Sequence, residues 1–346
     1  MPDTCNAAIV GLGFIGGGDQ VSGDALGQRV EDLDGTHFSA LSQHPGIELV
    51  AGSSRDEGRR QRFAERSGGC RTYADWRELL DRERIDIASV ATYAPQHAEV
   101  AIACARSGVK AVYCEKPVAR TMADAEAMLE ACAASGTLLV VNHNRRFTAD
   151  FRALRDRIAG GDLGDLTSIS VQWASGRLGN VGTHVLDAVR MLSGRRVEAV
   201  SGTLDLAGKP DCRGPAFSDP GGWGLLRLEG GVIVTVDAAD YATIPMRFCF
   251  NGTRARAVCE SERITLDFSD GGSERLTSGP QRSSMDVAVG EIVDWLDGKG
   301  PFPYDPQEAV DTLETIVAFH ASHRRDAAWT ALPLRGADRE IEVNSG

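Results

Sequence analysis

The sequence lacks any uninterrupted run of 18 or more apolar residues, the length that a helix needs to span a bilayer. Its first residues, MPDTCNAAIVGLG, also lack the positively charged start and the cleavage site of a secretory signal peptide. These two absences predict a cytoplasmic protein that has no membrane partner.

Metal-binding and redox motifs are missing as well. The eight cysteines are scattered along the chain and include no C-x-x-C pair, so neither a zinc site nor a disulfide framework is expected. We predict that most of these cysteines are small core residues. No other set of ligands stands out, and the sequence predicts no metal.

Positive charge is in deficit. Lysine and arginine number 37 against 49 aspartates and glutamates, which gives a net charge of -12. This charge opposes the electrostatic attraction on which binding to nucleic acids and anionic membranes relies. The expected partner is therefore a small molecule and not a nucleic acid.

The chain is long enough, at 346 residues with 42% hydrophobic content, to form two domains. In the first, residues 1–143, apolar runs alternate with helical patterns, which predicts an α/β Rossmann domain with a doubly wound parallel sheet. The strands are predicted over residues 7–13, 47–54, 85–92, 109–115 and 138–142. A loop rich in glycine and aspartate, residues 17–35, is inserted where the first helix should continue, and a helix resumes with Thr36 as its N-cap. The role of this loop, and of His37 after it, stays open.

The second domain is predicted over residues 144–335. Its strand-like runs have no helices between them and alternate polar with apolar residues, which favours an α+β domain with a large, mostly antiparallel open sheet. A helix over residues 306–326 is expected to pack back on the first domain.

A glycine-rich turn, GLGFIG, follows the first predicted strand. It supplies Gly11, Gly13 and Gly16 in G-x-G-x-x-G spacing, with Phe14 and Ile15 between the last two. Glycine allows a tight turn and a close approach of the backbone to a pyrophosphate, and its position in a βαβ series predicts a dinucleotide site.

The end of the second strand indicates which dinucleotide is preferred. The segment GSSRDEGRR has Ser54 and Arg55 where NAD-binding proteins commonly carry an acidic residue. A hydroxyl and a guanidinium suit a 2′-phosphate, so we expect NADP(H) in preference to NAD(H). Two alternatives remain open: Arg59 and Arg60 form a solvated helix face, or Asp56 takes the ribose position and restores NAD.

Five segments, GLGFIG, VATYAPQHAEVA, YCEKP, NRRF and GTHVLDAVRML, occur in an order that resembles the glucose-fructose oxidoreductase and inositol dehydrogenase family (Gfo/Idh/MocA). The resemblance covers nearly the whole chain. It implies that Lys116, often followed by a cis bond to Pro117, lies beside the nicotinamide and contacts the reacting oxygen. Glu115 and Pro117 set its backbone, and both Glu115 and Lys116 are implied to contact the cofactor. Hydride transfer at a carbinol needs such a proton donor or acceptor and a cation.

The family's second signature, D-x-x-x-H, corresponds here to NVGTHVLD. The resemblance implies that His184 is a general acid or base, because imidazole can titrate near the working pH. Asn180 replaces the aspartate and cannot ionise, although it can hydrogen-bond a substrate. Acid/base duty is therefore expected of Lys116 and His184.

Further positions come from the resemblance or from the predicted strands. Thr92 and His97 lie where a family segment passes the cofactor, and Arg145 matches a position near the substrate. Trp173 and Tyr241, on predicted strands of the second domain, are candidates for lining the substrate pocket, with plain core packing as the alternative.

The sequence therefore predicts an NAD(P)-dependent oxidoreductase that transfers a hydride between the nicotinamide and a carbinol or carbonyl carbon of a sugar, nucleotide sugar or inositol-like substrate. The alternatives are an NAD-dependent glycosidase that uses transient oxidation and a non-catalytic dinucleotide-binding regulator. The resemblance also implies a homodimer or homotetramer.

Overall fold

The computed structural model describes residues 4–22, 29–174, 176–207, 217–238, 245–260, 263–277 and 282–345. They divide into two compact units. The first contains the residues up to Ala119, then Ala123–Asn144 and Arg282–Gln307, and the second contains Arg120–Met122, the residues from Arg145 to position 281, and those from Glu308 onward. No helix among the described residues is long and apolar enough to cross a membrane.

The described residues form two sheets. The strands are β1 Cys5–Val10, β2 Ile47–Ser53, β3 Arg71–Tyr73, β4 Ile87–Val90, β5 Ala111–Cys114, β6 Leu138–Val141, β7 Leu166–Gln172, β8 Val197–Leu204, β9 Gly222–Leu228, β10 Ile233–Ala238, β11 Arg247–Gly252, β12 Ala255–Glu260, β13 Arg263–Phe268, β14 Ser273–Leu276 and β15 Thr330–Ala331. The helices are α1 Phe14–Gly17, α2 His37–Ser42, α3 Glu57–Arg66, α4 Trp76–Arg82, α5 Ala94–Arg106, α6 Met122–Ser135, α7 Ala149–Ala159, α8 Thr183–Ser193, α9 Ser284–Leu296 and α10 Gln307–His323.

The first unit has a six-stranded sheet in the order β3-β2-β1-β4-β5-β6. Every pair of neighbours is parallel, so the predicted Rossmann-type sheet is confirmed. Every residue of the central strands β4 and β5 is buried, as expected for a sheet covered on both faces. The sequence missed β3, because it has only three residues and none of them is buried.

The helix over residues 284–296 belongs to the first unit. Its buried residues Met285, Ala288, Val289 and Ile292 recur at the spacing of one helix face. The backbone N–H of Ser284 donates to Asp34 at 3.0 Å. The first unit therefore includes a late segment that the predicted boundary at residue 143 leaves out.

The second unit has a nine-stranded sheet in the order β14-β13-β12-β11-β7-β10-β9-β8-β15. Its pairs are antiparallel except β7 and β10, which are parallel. This confirms the mostly antiparallel sheet, and the alternating burial along its strands agrees with one covered face.

The helix predicted over residues 306–326 is present as α10, and its expected packing on the first domain remains a prediction. From Glu308 onward, α10 belongs to the second unit. A Cβ added to Gly202 of β8 or Gly224 of β9 would lie 2.4 or 2.6 Å from the Phe319 ring. These glycines make room for Phe319, which explains why α10 covers this sheet.

Candidate functional site

The predicted dinucleotide turn follows β1 as a close-packed bend. Gly11 has a φ of 105°, and a Cβ there would lie 2.4 Å from the carbonyl oxygen of Ala91. A Cβ on Gly16 would lie 2.0 Å from the Gly11 carbonyl oxygen, whereas one on Gly13 would meet only the Arg59 guanidinium, at 3.8 Å. The first and third glycines thus permit close packing, and the second leaves a face that a pyrophosphate could approach. The residues of this turn fit a dinucleotide.

Phe14 and Ile15 begin the short helix α1 after this turn, and both are half-buried. Their predicted contribution to cofactor binding remains a prediction.

The end of β2 carries hydroxyl and cationic groups, as predicted. Asp56 caps α3 by accepting the N–H of Arg59 at 2.8 Å, so its carboxylate is engaged in holding the helix. The Ser54 hydroxyl accepts the N–H of Asp56 at 3.3 Å. Arg60 donates to the carbonyl oxygens of Ser54 and Arg55 at 2.7 and 3.0 Å. Arg55 itself is exposed.

Thr92 and His97 lie in and after the turn that follows β4. The His97 ring contacts the carbonyl oxygen of Pro117 through Nδ1 and that of Thr92 through Nε2, each at 2.9 Å. Burial lowers the pKa of His97, although both carbonyl contacts oppose this shift. His97, with 1% of its surface exposed, therefore fastens the Thr92 turn to the segment after Lys116. The predicted contacts of Thr92 and His97 with the cofactor remain predictions.

Lys116 directly follows Glu115 at the end of β5, and the Lys116–Pro117 peptide is cis, as the resemblance implies. The Glu115 carboxylate is buried and turned inward. Its Oε1 lies 3.0 Å from His37 Nε2 and accepts the Asn142 amide N–H at 2.6 Å. Burial alone would raise the pKa of Glu115, but its interactions with His37, Lys116 and Asn142 outweigh this effect and lower the pKa to about 2.

Asn180 and His184 lie in the second unit, where the π-helical turn Leu178–Gly182 leads into α8. Asp219 holds this turn: its two carboxylate oxygens accept the backbone N–H groups of Gly179 and Asn180, each at 2.7 Å. Because α8 begins at Thr183, His184 lies in its first turn. The predicted pair therefore shares one short segment that a neighbouring carboxylate fixes.

Trp173, one of the two candidates for lining the substrate pocket, is buried in the second unit. Only 1% of its surface is exposed, and its indole N–H donates to the Gly176 carbonyl oxygen at 2.7 Å. A Cβ on Gly182 would lie 3.0 Å from the Trp173 ring. Trp173 thus packs beneath the turn that carries Asn180, which is the core-packing alternative. Tyr241 lies outside the described residues.

The two arginines after β6 differ in their surroundings. Arg146 is buried and bonds to the fully buried Asp187 of α8 at 2.8–2.9 Å. The Arg145 guanidinium lies 5.6 and 5.5 Å from the ring centroids of Phe151 and Phe248. Burial lowers the pKa of Arg145 to about 10, with Asp187 acting in the opposite direction. The predicted contact of Arg145 with substrate remains a prediction.

Sequence reasoning missed two residues, His37 and Asp219. His37, Ala40 and Leu41 are the buried residues of α2, and their i, i+3, i+4 spacing placed a histidine on an apolar face. Asp219 belongs to no recognisable sequence motif, so only its contacts in the folded structure reveal its role. In the part of the chain that the structure describes, no group of three or more histidine, cysteine, aspartate or glutamate side chains could hold a metal ion.

Comparison with protein families gives two matches. Residues 5–143 match the Gfo/Idh/MocA family described as an oxidoreductase family with an NAD-binding Rossmann fold. Residues 172–258 match the Gfo/Idh/MocA C-terminal domain.

The following individual relatives share a third or less of their residues with this chain in the aligned regions. D-apiose dehydrogenase of Paraburkholderia graminis is 33% identical, over 46% of this chain and 46% of that protein. Levoglucosan dehydrogenase of Pseudarthrobacter phenanthrenivorans is 26% identical, over 86% of this chain and 83% of its own length. Among solved structures, levoglucosan dehydrogenase in complex with NADH and levoglucosan has a TM-score of 0.79 at 20% identity, covering 96% of this chain and 100% of that one. The structural likeness shows a shared fold.

Proposed function

Since the chain belongs to the Gfo/Idh/MocA oxidoreductase family and carries both its NAD-binding and its C-terminal domain, we propose that it is an NAD(P)-dependent oxidoreductase. The reaction transfers a hydride between the nicotinamide and a carbinol or carbonyl carbon. The substrate is a sugar, nucleotide sugar or inositol-like polyol, since relatives include inositol and levoglucosan dehydrogenases.

The observation that carries the proposal is the position of Lys116 in the first unit. It follows β5, which neighbours β4, and β4 neighbours β1 with its glycine turn. These strands are parallel, so their carboxyl ends share one edge of the sheet, where ligands of such sheets bind. Lys116 therefore follows a strand that ends at the same edge of the sheet as the turn that fits a dinucleotide.

Oxidation of a carbinol removes a hydride from carbon and a proton from oxygen. A bound nicotinamide supplies the hydride acceptor or donor. The Lys116 ammonium binds the substrate oxygen and stabilises the negative charge that develops on it. His184 is the second proposed acid or base, and Asn180 orients a substrate hydroxyl through its amide.

We also propose a preference for NADP(H) over NAD(H). The engagement of Asp56 as the cap of α3 supports this preference, because Asp56 is the one acidic residue between the end of β2 and the start of α3. Ser54 and the exposed Arg55 would bind the 2′-phosphate. The NADH complexes of solved relatives favour the opposite preference, which makes the test decisive.

The first experiment measures binding of NAD⁺, NADH, NADP⁺ and NADPH by thermal shift and by nicotinamide fluorescence. A panel of myo-inositol, levoglucosan and D-apiose is then followed by absorbance of the reduced nicotinamide. We expect tighter binding of NADPH and net turnover of at least one polyol. Release of an aglycone from a nitrophenyl glycoside added to the panel, without net nucleotide turnover, would favour the glycosidase. Binding without chemistry on any sugar or ketosugar would favour the regulator.

Lys116→Met and His184→Asn test the catalytic roles. Loss of a positioned acid/base group lowers turnover by about 10²–10⁴-fold, and we expect this loss to exceed by far any change in nucleotide affinity. The matched control is Lys110→Met, which removes an exposed lysine of the same unit that pairs with Asp86. Equal activity of the Lys116 and Lys110 variants would contradict the proposal.

Arg55→Ala tests the cofactor preference. A hydrogen bond to a charged group contributes about 1.5–3 kcal/mol, so the KM for NADP⁺ should rise by roughly 10- to 100-fold while that for NAD⁺ stays the same. Arg82→Ala, which removes an exposed arginine paired with Glu78, is the control. A parallel change for both nucleotides would contradict the 2′-phosphate contact.

Homo-oligomerisation is proposed through the sheet of the second unit. Leu225 of β9 and Trp329 beside β15 are 37% and 45% exposed, and apolar surface of this kind favours association. Light scattering should show a dimer or tetramer, and Leu225→Glu should weaken it. A monomer at micromolar concentration would contradict this proposal.

A further inference from the structure

A chain of buried polar side chains lies beneath Lys116 in the first unit. We call it the Glu115 network; its members are His37, Ser89, Tyr113, Glu115 and Asn142. The Ser89 hydroxyl lies 2.6 Å from His37 Nδ1, and His37 Nε2 lies 3.0 Å from Glu115 Oε1. The Asn142 amide donates to the same Oε1 at 2.6 Å and accepts the Tyr113 hydroxyl at 2.8 Å.

Ser89, His37 and Glu115 are hydrogen-bonded in the same order as the serine, histidine and carboxylate of a hydrolase catalytic triad. A hydrolytic role does not fit, because Ser89 and His37 are both 0% exposed and no substrate carbonyl could reach the hydroxyl. The network therefore acts on neighbouring residues of the protein and not directly on a substrate.

The hydrogen bonds of the network converge on one oxygen. A carboxylate oxygen only accepts, so His37 Nε2 must carry a hydrogen and donate it to Glu115. The Tyr113 hydroxyl fixes the Asn142 amide with its nitrogen toward the same oxygen. Two donors from α2 and from the end of β6 thus hold one buried anion, and the peptide that carries this anion continues directly into Lys116.

Charges around Glu115 agree with this arrangement. Burial opposes its ionisation, yet interactions with His37, Lys116 and Asn142 lower its pKa to about 2. The attraction of Lys116 is mutual, so an ionised Glu115 favours the charged ammonium. The titratable groups that face Glu115 are His37 from α2, His97 from α5, Tyr113 and Cys114 from β5, and Lys116 after β5, with Asp34 and Asp286 acting on Tyr113.

We propose that His37 is a positioning residue for Lys116: its Nε2–H holds the Glu115 carboxylate as a fixed buried anion, and that anion sets the charge and direction of the neighbouring ammonium. The inference rests on the proposed function for its catalytic consequence. Its structural part, coupling of His37 to Lys116 through Glu115, can be measured without a substrate.

The substrate-free experiment follows the Glu115 side-chain carboxyl by ¹³C NMR across a pH titration. His37→Met removes the donor at similar size, and His37→Gln keeps an N–H donor near the position of Nε2. We expect the pKa of Glu115 to rise in His37→Met and to rise less in His37→Gln. Lys116→Met should raise the same pKa by a smaller amount in the His37→Met background than in the wild-type protein.

The second readout is turnover of the most active polyol of the panel. We expect kcat of His37→Met to fall roughly tenfold or more, and a new acidic limb to appear between about pH 4 and 7, within the range to which burial can raise a carboxyl pKa. Nucleotide Kd should stay within about threefold of the wild-type value, and His37→Gln should recover most of the loss. The control is His320→Met, which removes a histidine of α10 whose Nε2 is buried without a hydrogen-bond partner among the described residues.

The outcomes separate the two proposals. An unchanged Glu115 titration in His37→Met, or equal effects of Lys116→Met in both backgrounds, overturns the inference whether or not the protein is an enzyme. Equal losses in the glutamine and methionine variants, with no acidic limb, also overturn it and indicate a packing role. If the Glu115 titration shifts in His37→Met and depends jointly on His37 and Lys116, but no sugar is turned over, the inference is supported and the proposed function is refuted. If His37→Met does not fold, His37→Asn replaces it, because its shorter amide cannot reach Glu115.

Discussion

Replacing Asp219 by asparagine should destabilise the second unit and lower turnover, because one carboxylate holds two backbone N–H groups. These N–H groups, of Gly179 and Asn180, each lie 2.7 Å from a different oxygen of Asp219, and 8% of the residue is exposed. Asparagine keeps one oxygen but turns its NH₂ group toward the second N–H. One charge-assisted hydrogen bond is lost, and the new side-chain NH₂ group then faces a backbone N–H group, so that two donors oppose each other.

The size of the effect follows from that geometry. Hydrogen bonds to charged groups contribute about 1.5–3 kcal/mol, and an unsatisfied buried donor costs a similar amount. Because the turn can relax, we expect a loss of about 2–3 kcal/mol, or roughly 4–12 °C in the Tm of a unit of this size. The shift of the turn should also lower kcat, since His184 follows within one helical turn.

Differential scanning calorimetry measures the stability change, and the nicotinamide assay measures kcat. The control is Asp205→Asn, which alters a half-buried aspartate whose Oδ1 accepts the N–H of Ala207 at 3.1 Å. Its effect should stay within about 0.5 kcal/mol. If Asp219→Asn melts within about 1 °C of the wild-type protein and of this control, the carboxylate does not hold the turn.

Three further changes have defined outcomes. Gly16→Ala places a methyl group 2.0 Å from the Gly11 carbonyl oxygen, so it should cost about 1–3 kcal/mol of stability and weaken NADPH binding, and unchanged fluorescence titrations would contradict this. The pKa of Glu115, about 2, lies below its ordinary 4.5, so its ionised form stabilises the fold above about pH 4.5. At neutral pH, the free energy of unfolding in urea should be about 3 kcal/mol higher for the wild-type protein than for Glu115→Gln. This difference should vanish as the pH falls toward 2, and a difference that does not change with pH would contradict the prediction. Gly202→Ala crowds the Phe319 ring at 2.4 Å and should cost about 1–3 kcal/mol, which Phe319→Leu in the same chain should partly restore.

Much of the fold could be predicted because its signals are local. Apolar runs that alternate with helical patterns predicted five of the six strands of the first sheet, and alternating polarity predicted the antiparallel sheet of the second unit. β3 was missed because three half-exposed residues carry no apolar run. The assignment of α9 to the first unit depends on its contacts with α2 and Asp34, which are distant in sequence.

The residues of the candidate site also fall into those that a local motif reveals and those that depend on contacts distant in sequence. Gly11, Gly16 and Lys116 belong to contiguous motifs, so the sequence alone was enough to place them after β1 and β5, and their roles remain predictions. His37 could not be paired with Glu115, because 78 residues separate them and an amphipathic helix predicts only that a face is buried, not what it meets. The sequence left two readings of Trp173 open for a related reason: an aromatic residue on a strand suits a core and a pocket equally well.

Strand register explains why the Glu115 network forms at this place. Ser89 of β4 pairs with Tyr113 of β5, and the N–H of Asn142, after β6, donates to the carbonyl oxygen of Cys114. Adjacent parallel strands thus bring one polar side chain each to the same edge, where Glu115 leaves the sheet. A buried carboxylate there needs donors, and the neighbouring strand end and the first residue of α2 are the positions close enough to supply them. Asn142→Leu should therefore raise the pKa of Glu115 in the same direction as His37→Met, and an opposite shift would show that the two donors do not hold a common anion.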